Sequence, residues 1–214
     1  MDIITKYYRL LTYDKNDENG GRMYYEIETQ MLYKYLVDNN VLKRNQNVLE
    51  VGGGGGVFYE EYKTYLKKLN NKYTCIDIEE APLIQARKIA DYVNFKCLDI
   101  HDYPTNELRK HDIILMVQTY ICVPNINKVI KQYFKLNPNG KIILINTIFP
   151  EYLTGVSNIL REVIAKGLFD VNWGKALTLN YMIETSKRLK RHLTYNIVGQ
   201  SPLSSQYEYI FILE

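Results

Sequence analysis

Gly52, Gly53, Gly54, Gly55 and Gly56 stand together directly after Glu50-Val51. No helix or strand tolerates five glycines in a row, because each adds backbone freedom and no side chain to pack. The run is read as a loop whose bare backbone a ligand can approach closely. Two phosphate-binding loops are excluded. A G-x-G-x-x-G fingerprint needs a glycine five positions after its first, and from Gly52 or Gly53 that position is Val57 or Phe58; the GK[ST] ending of a Walker loop is also missing. Glu50 points the same way, since its carboxylate would repel a pyrophosphate. It is suited instead to accept hydrogen bonds from an ammonium group. Two further acids follow. Asp77 closes the run Thr74-Cys75-Ile76-Asp77 about 20 residues past the glycines, where a carboxylate can take ribose hydroxyls, and Asp99 closes Phe95-Lys96-Cys97-Leu98-Asp99.

These residues need a frame, and the hydrophobic periodicity supplies one. Residues 22 to 39 place Ile27, Met31, Leu32, Tyr35 and Leu36 on one helical face. Asn47 to Val51 reads as a buried strand, the glycine loop follows, and Phe58, Tyr62, Tyr65, Leu66 and Leu69 mark an amphipathic helix from Phe58 to Leu69. A strand over Tyr73 to Ile78 precedes a helix with Pro82 in its first turn, where the missing N–H costs nothing. Strands are predicted at Val93 to Ile100, Asp112 to Tyr120 and Lys141 to Phe149, apolar enough to be covered on both faces. Between the last two lies a helix capped by Asn125, with Ile126, Val129, Ile130, Tyr133 and Phe134 facing the sheet, ended by Asn137-Pro138-Asn139-Gly140. After Pro150 come two helical stretches, about 155 to 168 and 176 to 190, then strands at Leu193 to Val198 and Tyr207 to Leu213 joined as a hairpin. The expected fold class is α/β: a Rossmann-like three-layer α/β/α sandwich with a seven-stranded, mostly parallel sheet whose last strand is antiparallel. One domain over 1–214 is expected, with a helical cap at 1–44, a ligand-binding core at 48–149, a helical insertion at 151–191 and a terminal hairpin at 192–214.

With the order of elements in hand, Glu50-x-Gly52-x-Gly54-x-Gly56 resembles motif I of the class I S-adenosylmethionine-dependent methyltransferases, and the similarity runs in order from about 48 to 149. Asp112 to Gln118 is similar to the family's strand four, and Leu136-Asn137-Pro138-Asn139-Gly140-Lys141 to the turn before its strand five. The resemblance implies S-adenosylmethionine as cofactor and S-adenosylhomocysteine as product, held by Glu50, Gly52, Gly54, Gly56, Asp77, Ile78, Asp99, Ile100 and Gln118. In that assignment Glu50 takes the amino end, Asp77 the ribose, Ile78 packs on the adenine, and Asp99 with Ile100 meets the adenine edge.

Methyl transfer from a sulfonium is an in-line displacement, so holding the acceptor at near-attack distance supplies much of the acceleration and a dedicated base is optional. Near the end of strand four the chain reads Gln118-Thr119-Tyr120-Ile121-Cys122, without a histidine. No catalytic residue is assigned; Tyr8, Tyr120 and His101 are the candidates, each with an ordinary packing or surface role as the competing reading. Tyr7, Tyr13, Arg22 and Trp173 are the candidate substrate contacts, aromatic rings being able to surround a sulfonium. No [DNS]PP[YF] follows strand four and no Pro-Cys pair is present, which argues against the amino-methylating DNA and glutamine enzymes and the cytosine-C5 enzymes.

A net charge of +3 from 27 basic and 24 acidic residues gives no field that draws nucleic acid. The basic cluster Lys187, Arg188, Lys190, Arg191 and His192 is read as the solvated end of a helix. Cys75, Cys97 and Cys122 show no metal-ligand spacing, are read as buried thiols, and no metal is expected. The first residues mix Asp2, Lys6 and Arg9 with apolar ones, unlike a signal peptide, and no run approaches a membrane span. A cytoplasmic monomer or homodimer acting on an oxygen or nitrogen of a small molecule is expected. Two alternatives stay open: the same cofactor used for aminopropyl or aminocarboxypropyl transfer or cyclisation with release of methylthioadenosine, and a catalytically silent binding protein.

Overall fold

The computed structural model describes residues 20–148, 177–200 and 207–214. Helix α1 (Gly20–Asp38) leads into the alternation β1 (Asn47–Val51), α2 (Val57–Lys68), β2 (Lys72–Asp77), α3 (Glu80–Ile89) and β3 (Val93–Cys97). A short helix α4 (Thr105–Leu108) precedes β4 (Ile113–Val117), which is followed by α5 (Ile126–Leu136) and β5 (Lys141–Ile148). The described chain closes with α6 (Leu179–Leu189), β6 (Leu193–Gln200) and β7 (Tyr207–Leu213). The seven strands lie in the order β3-β2-β1-β4-β5-β7-β6. β1 pairs in parallel with both β2 and β4, so the chain reverses its direction of winding between β1 and β4, where open sheets bind ligands beyond the strand ends. β7 alone runs against its neighbours, antiparallel to β5 and to β6.

Each sheet face has its own core, because successive strand residues point to opposite sides. On one face Val48, Leu115, Ile143, Ile145, Ile210 and Ile212 pack with Leu32 and Leu36 of α1 and Tyr59 and Leu66 of α2. On the other, Leu49, Ile114, Leu144 and Phe211 pack with Ile130, Tyr133 and Phe134 of α5 and Met182 of α6. Tyr33 of α1 stacks on Tyr62 of α2 with centroids 3.7 Å apart, an aromatic contact that holds the leading helix over the sheet.

The periodicity located every described strand and the longer helices; it missed the one-turn helix α4, too short to show a period, and the other differences lie at ends. β3 stops at Cys97 rather than Ile100, because the Asp99 side chain accepts from the His101 N–H and turns residues 100–102 into a short 3₁₀ segment. β4 stops at Val117 rather than Tyr120: Gln118 adopts φ 54, a left-handed conformation that ends pairing. Asn125 precedes α5 as expected but sits at φ 53 and makes no side-chain cap. The cap that does form belongs to Thr178, whose Oγ1 accepts from the Tyr181 N–H at the start of α6. Lys187 and Arg188 occupy the last turn of α6 as predicted, whereas Arg191 lies over the Phe134 ring and donates to the Pro138 and Phe134 carbonyls. Of the cysteines only Cys75 is buried; Cys97 and Cys122 are exposed, which corrects the expectation for those two, since Cys97 is the last residue of β3 and Cys122 lies beyond the end of β4. The helix expected at 155 to 168 lies outside the described residues. No described helix is long and apolar enough to cross a membrane.

A buried histidine sits at the opposite end of the sheet from the glycine loop. His111 precedes β4 and its Nε2 shares a hydrogen bond with the Tyr103 hydroxyl, 2.9 Å away, while its Nδ1 has no partner among the described residues. Burial pushes its pKa down from 6.5 to about 4. The unfolded chain then takes up the proton first as pH falls, so this contribution is intact above about pH 6.5 and is lost as pH drops toward 4. We expect about 2 kcal/mol of this stability to disappear between pH 7.5 and 5. Urea unfolding of the parent and of His111→Gln, which keeps a hydrogen-bonding partner for Tyr103 and cannot charge, should diverge by that amount as pH falls across the range; an identical pH slope in the variant would show that His111 is not its source.

Candidate active site

The loop after β1 is shaped by contacts that exclude side chains on one side and admit a ligand on another. Gly52, Gly54 and Gly56 take φ 74, 51 and 77, a region that costs other residues strain. At Gly52 a Cβ would run into Thr119, at Gly53 into Cys75 and Glu50, and at Gly56 it would lie 2.9 Å from Ala86 of α3. Gly54 differs, since among the described residues nothing stands within 4 Å of a Cβ built there. The loop is thus packed against β2, α3 and the residue after Gln118, and open at its middle glycine.

Glu50 is buried, 2% exposed, and its Oε2 has no hydrogen-bond partner among the described residues. Burial pushes its pKa up to about 7; the Tyr59 hydroxyl nearby lowers it somewhat, and the negative charge of Asp77 raises it again. Tyr59 lies close enough to act electrostatically, yet its hydroxyl closes no hydrogen bond of normal geometry. A buried oxygen left without a donor marks the place for a cationic N–H group.

Asp77 ends β2 and braces the loop: its Oδ2 accepts from the Gly54 N–H and its Oδ1 from the Glu79 N–H, both at 3.0 Å. An ionised carboxylate has about four lone-pair sites, so two bonds leave it able to accept from further hydroxyls. Ile78 follows with 68% of its surface exposed, a bare apolar side chain at the rim where a flat ring can lie. Asp99 is held below its usual range by the His101 N–H and imidazole. Ile100 is 4% exposed and points into the second core, so only its main chain can face a ligand. The structure therefore gathers Glu50, Gly52, Gly54, Gly56, Asp77, Ile78 and Asp99 along the carboxyl edge of β1 to β3.

Across the switch point, Thr119 Oγ1 lies 3.4 Å from the Gly52 carbonyl and joins the two halves of the site. Gln118 stands beside it with both ends of its amide engaged, by Glu208 and by Asn146. The Tyr120 hydroxyl donates to Asn127, whose own amide donates to Tyr181, and burial raises its pKa beyond the range in which it could act as a base near neutrality. His101 is committed to Asp99 through Nδ1 at 2.8 Å. Tyr7, Tyr8, Tyr13 and Trp173 lie outside the described residues, and Arg22 falls in the first turn of α1 with its side chain outside them. Sequence reading missed Asn146 and Glu208. Both are fully buried, and a polar residue inside an apolar strand run was the signal available for each.

A family model described as a methyltransferase domain matches residues 42–195. The chain belongs to this family, one of class I S-adenosylmethionine-dependent methyltransferases. No curated protein matches the sequence. Among solved structures it is similar to magnesium protoporphyrin IX methyltransferase (ChlM) from Synechocystis PCC 6803 with bound SAH, at TM-score 0.63 and 14% identity over 98% of this chain and 92% of that one. The plantazolicin methyltransferase BpumL, solved with a triazolic desmethylPZN analog and SAH, matches at TM-score 0.59 and 19% identity over 99% and 89%. The citrinin polyketide synthase CMeT domain matches at 0.59 and 17% over 79% of this chain, which spans only 46% of that structure. At these identities the likeness is one of fold.

Proposed function

We propose that this chain transfers a methyl group from S-adenosylmethionine to a nitrogen or oxygen of a small-molecule acceptor. The observation that carries the reading is the pairing of an unpartnered buried carboxylate oxygen on Glu50 with a glycine loop open at Gly54. S-adenosylmethionine supplies a methyl group activated on a sulfonium. The remaining work falls to the chain: Glu50 accepts from the amino end, directly or through water, and the Gly52–Gly56 backbone admits the amino-acid arm. Asp77 accepts from ribose hydroxyls, Ile78 covers one face of the adenine, and Asp99 takes its amino group. A near-neutral surface and the lack of motifs for macromolecular acceptors support a small acceptor.

The test is mass spectrometry of reactions run with methyl-deuterated cofactor. Labelled product together with S-adenosylhomocysteine is expected. Release of methylthioadenosine instead would replace methyl transfer with chemistry on the other sulfonium substituents, and cofactor binding without any turnover would leave a binding protein.

A further inference from the structure

Gln118 bridges two residues on opposite faces of the sheet. Its Nε2 donates to Glu208 Oε2 at 2.7 Å, and its Oε1 accepts from Asn146 Nδ2 at 3.0 Å. Ile143 and Ile145 lie in the core of one face and Leu144 in that of the other, so by alternation Asn146 belongs with Leu144. Glu208 pairs with Thr147 and so belongs to the Ile145 side. The acid and both amides sit at the carboxyl edge of β4 and β5, and Thr119, next in the chain to Gln118, touches the glycine loop at Gly52.

The polarity of this chain of hydrogen bonds is set at one end. A carboxylate offers lone pairs and no hydrogen, so Glu208 orients the Gln118 amide with its nitrogen inward, and the Gln118 oxygen in turn orients the Asn146 amide. What emerges at the far end is Asn146 Oδ1, an acceptor that is buried and has no partner among the described residues. We propose that Asn146 Oδ1 receives an N–H of the methyl acceptor, that Gln118 and Glu208 are its positioning residues, and that the acceptor is an amine. The inference rests on the methyltransferase reading above.

An amide oxygen can orient a donor but cannot take its proton. A hydroxyl acceptor would need a base as it attacks, and neither Tyr120 nor His101 is placed to serve at Asn146. A primary or secondary amine that reaches the site as its free base needs none. One N–H binds Asn146 while the nitrogen lone pair forms the new N–C bond, the C–S bond breaks with its electrons leaving on sulfur, and the resulting ammonium releases one proton to water.

The experiment first measures S-adenosylhomocysteine binding by calorimetry; its absence would overturn the methyltransferase reading and this inference with it, whereas the later steps test the inference alone. Primary and secondary amines, phenols, alcohols and 1,3-diketones are then offered with deuterated cofactor. Methylation is expected in the amines. The best amine is next titrated into the protein loaded with S-adenosylhomocysteine, beside its ketone isostere, which accepts hydrogen bonds and donates none. Asn146→Leu should weaken amine binding about tenfold with S-adenosylhomocysteine affinity unchanged. Glu208→Gln allows both amides to reverse, which would present the Asn146 nitrogen instead, so preference should shift from the amine toward the ketone; a merely structural role would weaken both alike. Turnover confined to phenols, alcohols or diketones, or no amine methylated by a protein that binds S-adenosylhomocysteine, or amine binding unchanged in Asn146→Leu, would overturn the assignment.

Discussion

Gly54→Val is expected to weaken S-adenosylhomocysteine binding by about a hundredfold or more while the protein stays folded, because the added side chain protrudes where the ligand must lie. Among the described residues nothing stands within 4 Å of a Cβ at Gly54, so their packing does not oppose the change. The backbone does, since φ 51 is strained for a β-branched residue, at about 1–3 kcal/mol. For a chain of this size that corresponds to a fall in Tm of several degrees. Gly56→Val makes the useful contrast. Its side chain would press on Ala86, both its Cβ and its main chain, so the loss there should appear mainly as stability. Calorimetry and thermal unfolding of the two variants separate the effects, and Gly54→Val binding S-adenosylhomocysteine as tightly as the parent would move the site away from this loop.

The distinction between those two glycines could not be read in the sequence, where all five look alike. What the sequence does carry is alternation: isoleucine, valine and leucine crowd each strand, glycine and asparagine punctuate the turns, and the acids Glu50, Asp77 and Asp99 fall at strand ends. That was enough for the strand and helix order, for the sheet class with its antiparallel β7, and for the residues along the β1–β3 edge. Strand ends were less legible because side-chain hydrogen bonds decide them. Asp99 turning back on His101 shortens β3, and the left-handed Gln118 shortens β4.

The acceptor side was legible least of all. Asn146 and Glu208 are 62 positions apart in the sequence, and only the antiparallel return of β7 beside β5 brings them to the same sheet edge. Gln118 was singled out for its place after strand four, yet its role as the link between them depends on that return. Burial of two polar side chains at zero exposure is costly unless they are hydrogen-bonded; Gln118 bonds one polar atom of each, and Asn146 Oδ1 has no partner among the described residues. The unsatisfied oxygen is the exception that points outward to chemistry.

Glu50 carries the remaining prediction, that cofactor affinity rises with pH through neutrality. Burial holds its pKa at about 7 in the free protein, against 4.5 for an ordinary glutamate, so below pH 7 the neutral acid predominates. A protonated carboxyl is a poor partner for an ammonium group, so binding draws on the ionised fraction alone, and apparent affinity scales with that fraction. With a pKa of about 7, roughly a tenth is ionised at pH 6 and nine-tenths at pH 8, giving about tenfold tighter S-adenosylhomocysteine binding at the higher pH. The cationic ligand arriving beside Oε2 should also lower the pKa, so binding below pH 7 should release a proton, visible as a dependence of calorimetric enthalpy on the buffer's ionisation heat. Glu50→Gln should bind more weakly at pH 8 and lose both signatures. The stability effect runs in the opposite sense, since a raised carboxyl pKa favours the fold below the unfolded value and that benefit fades as pH climbs through 7. Weak binding at pH 6 therefore could not be blamed on a Glu50-linked loss of folding there if both are followed on the same samples, and a flat affinity profile from pH 6 to 8 would mean that Glu50 does not face the ammonium.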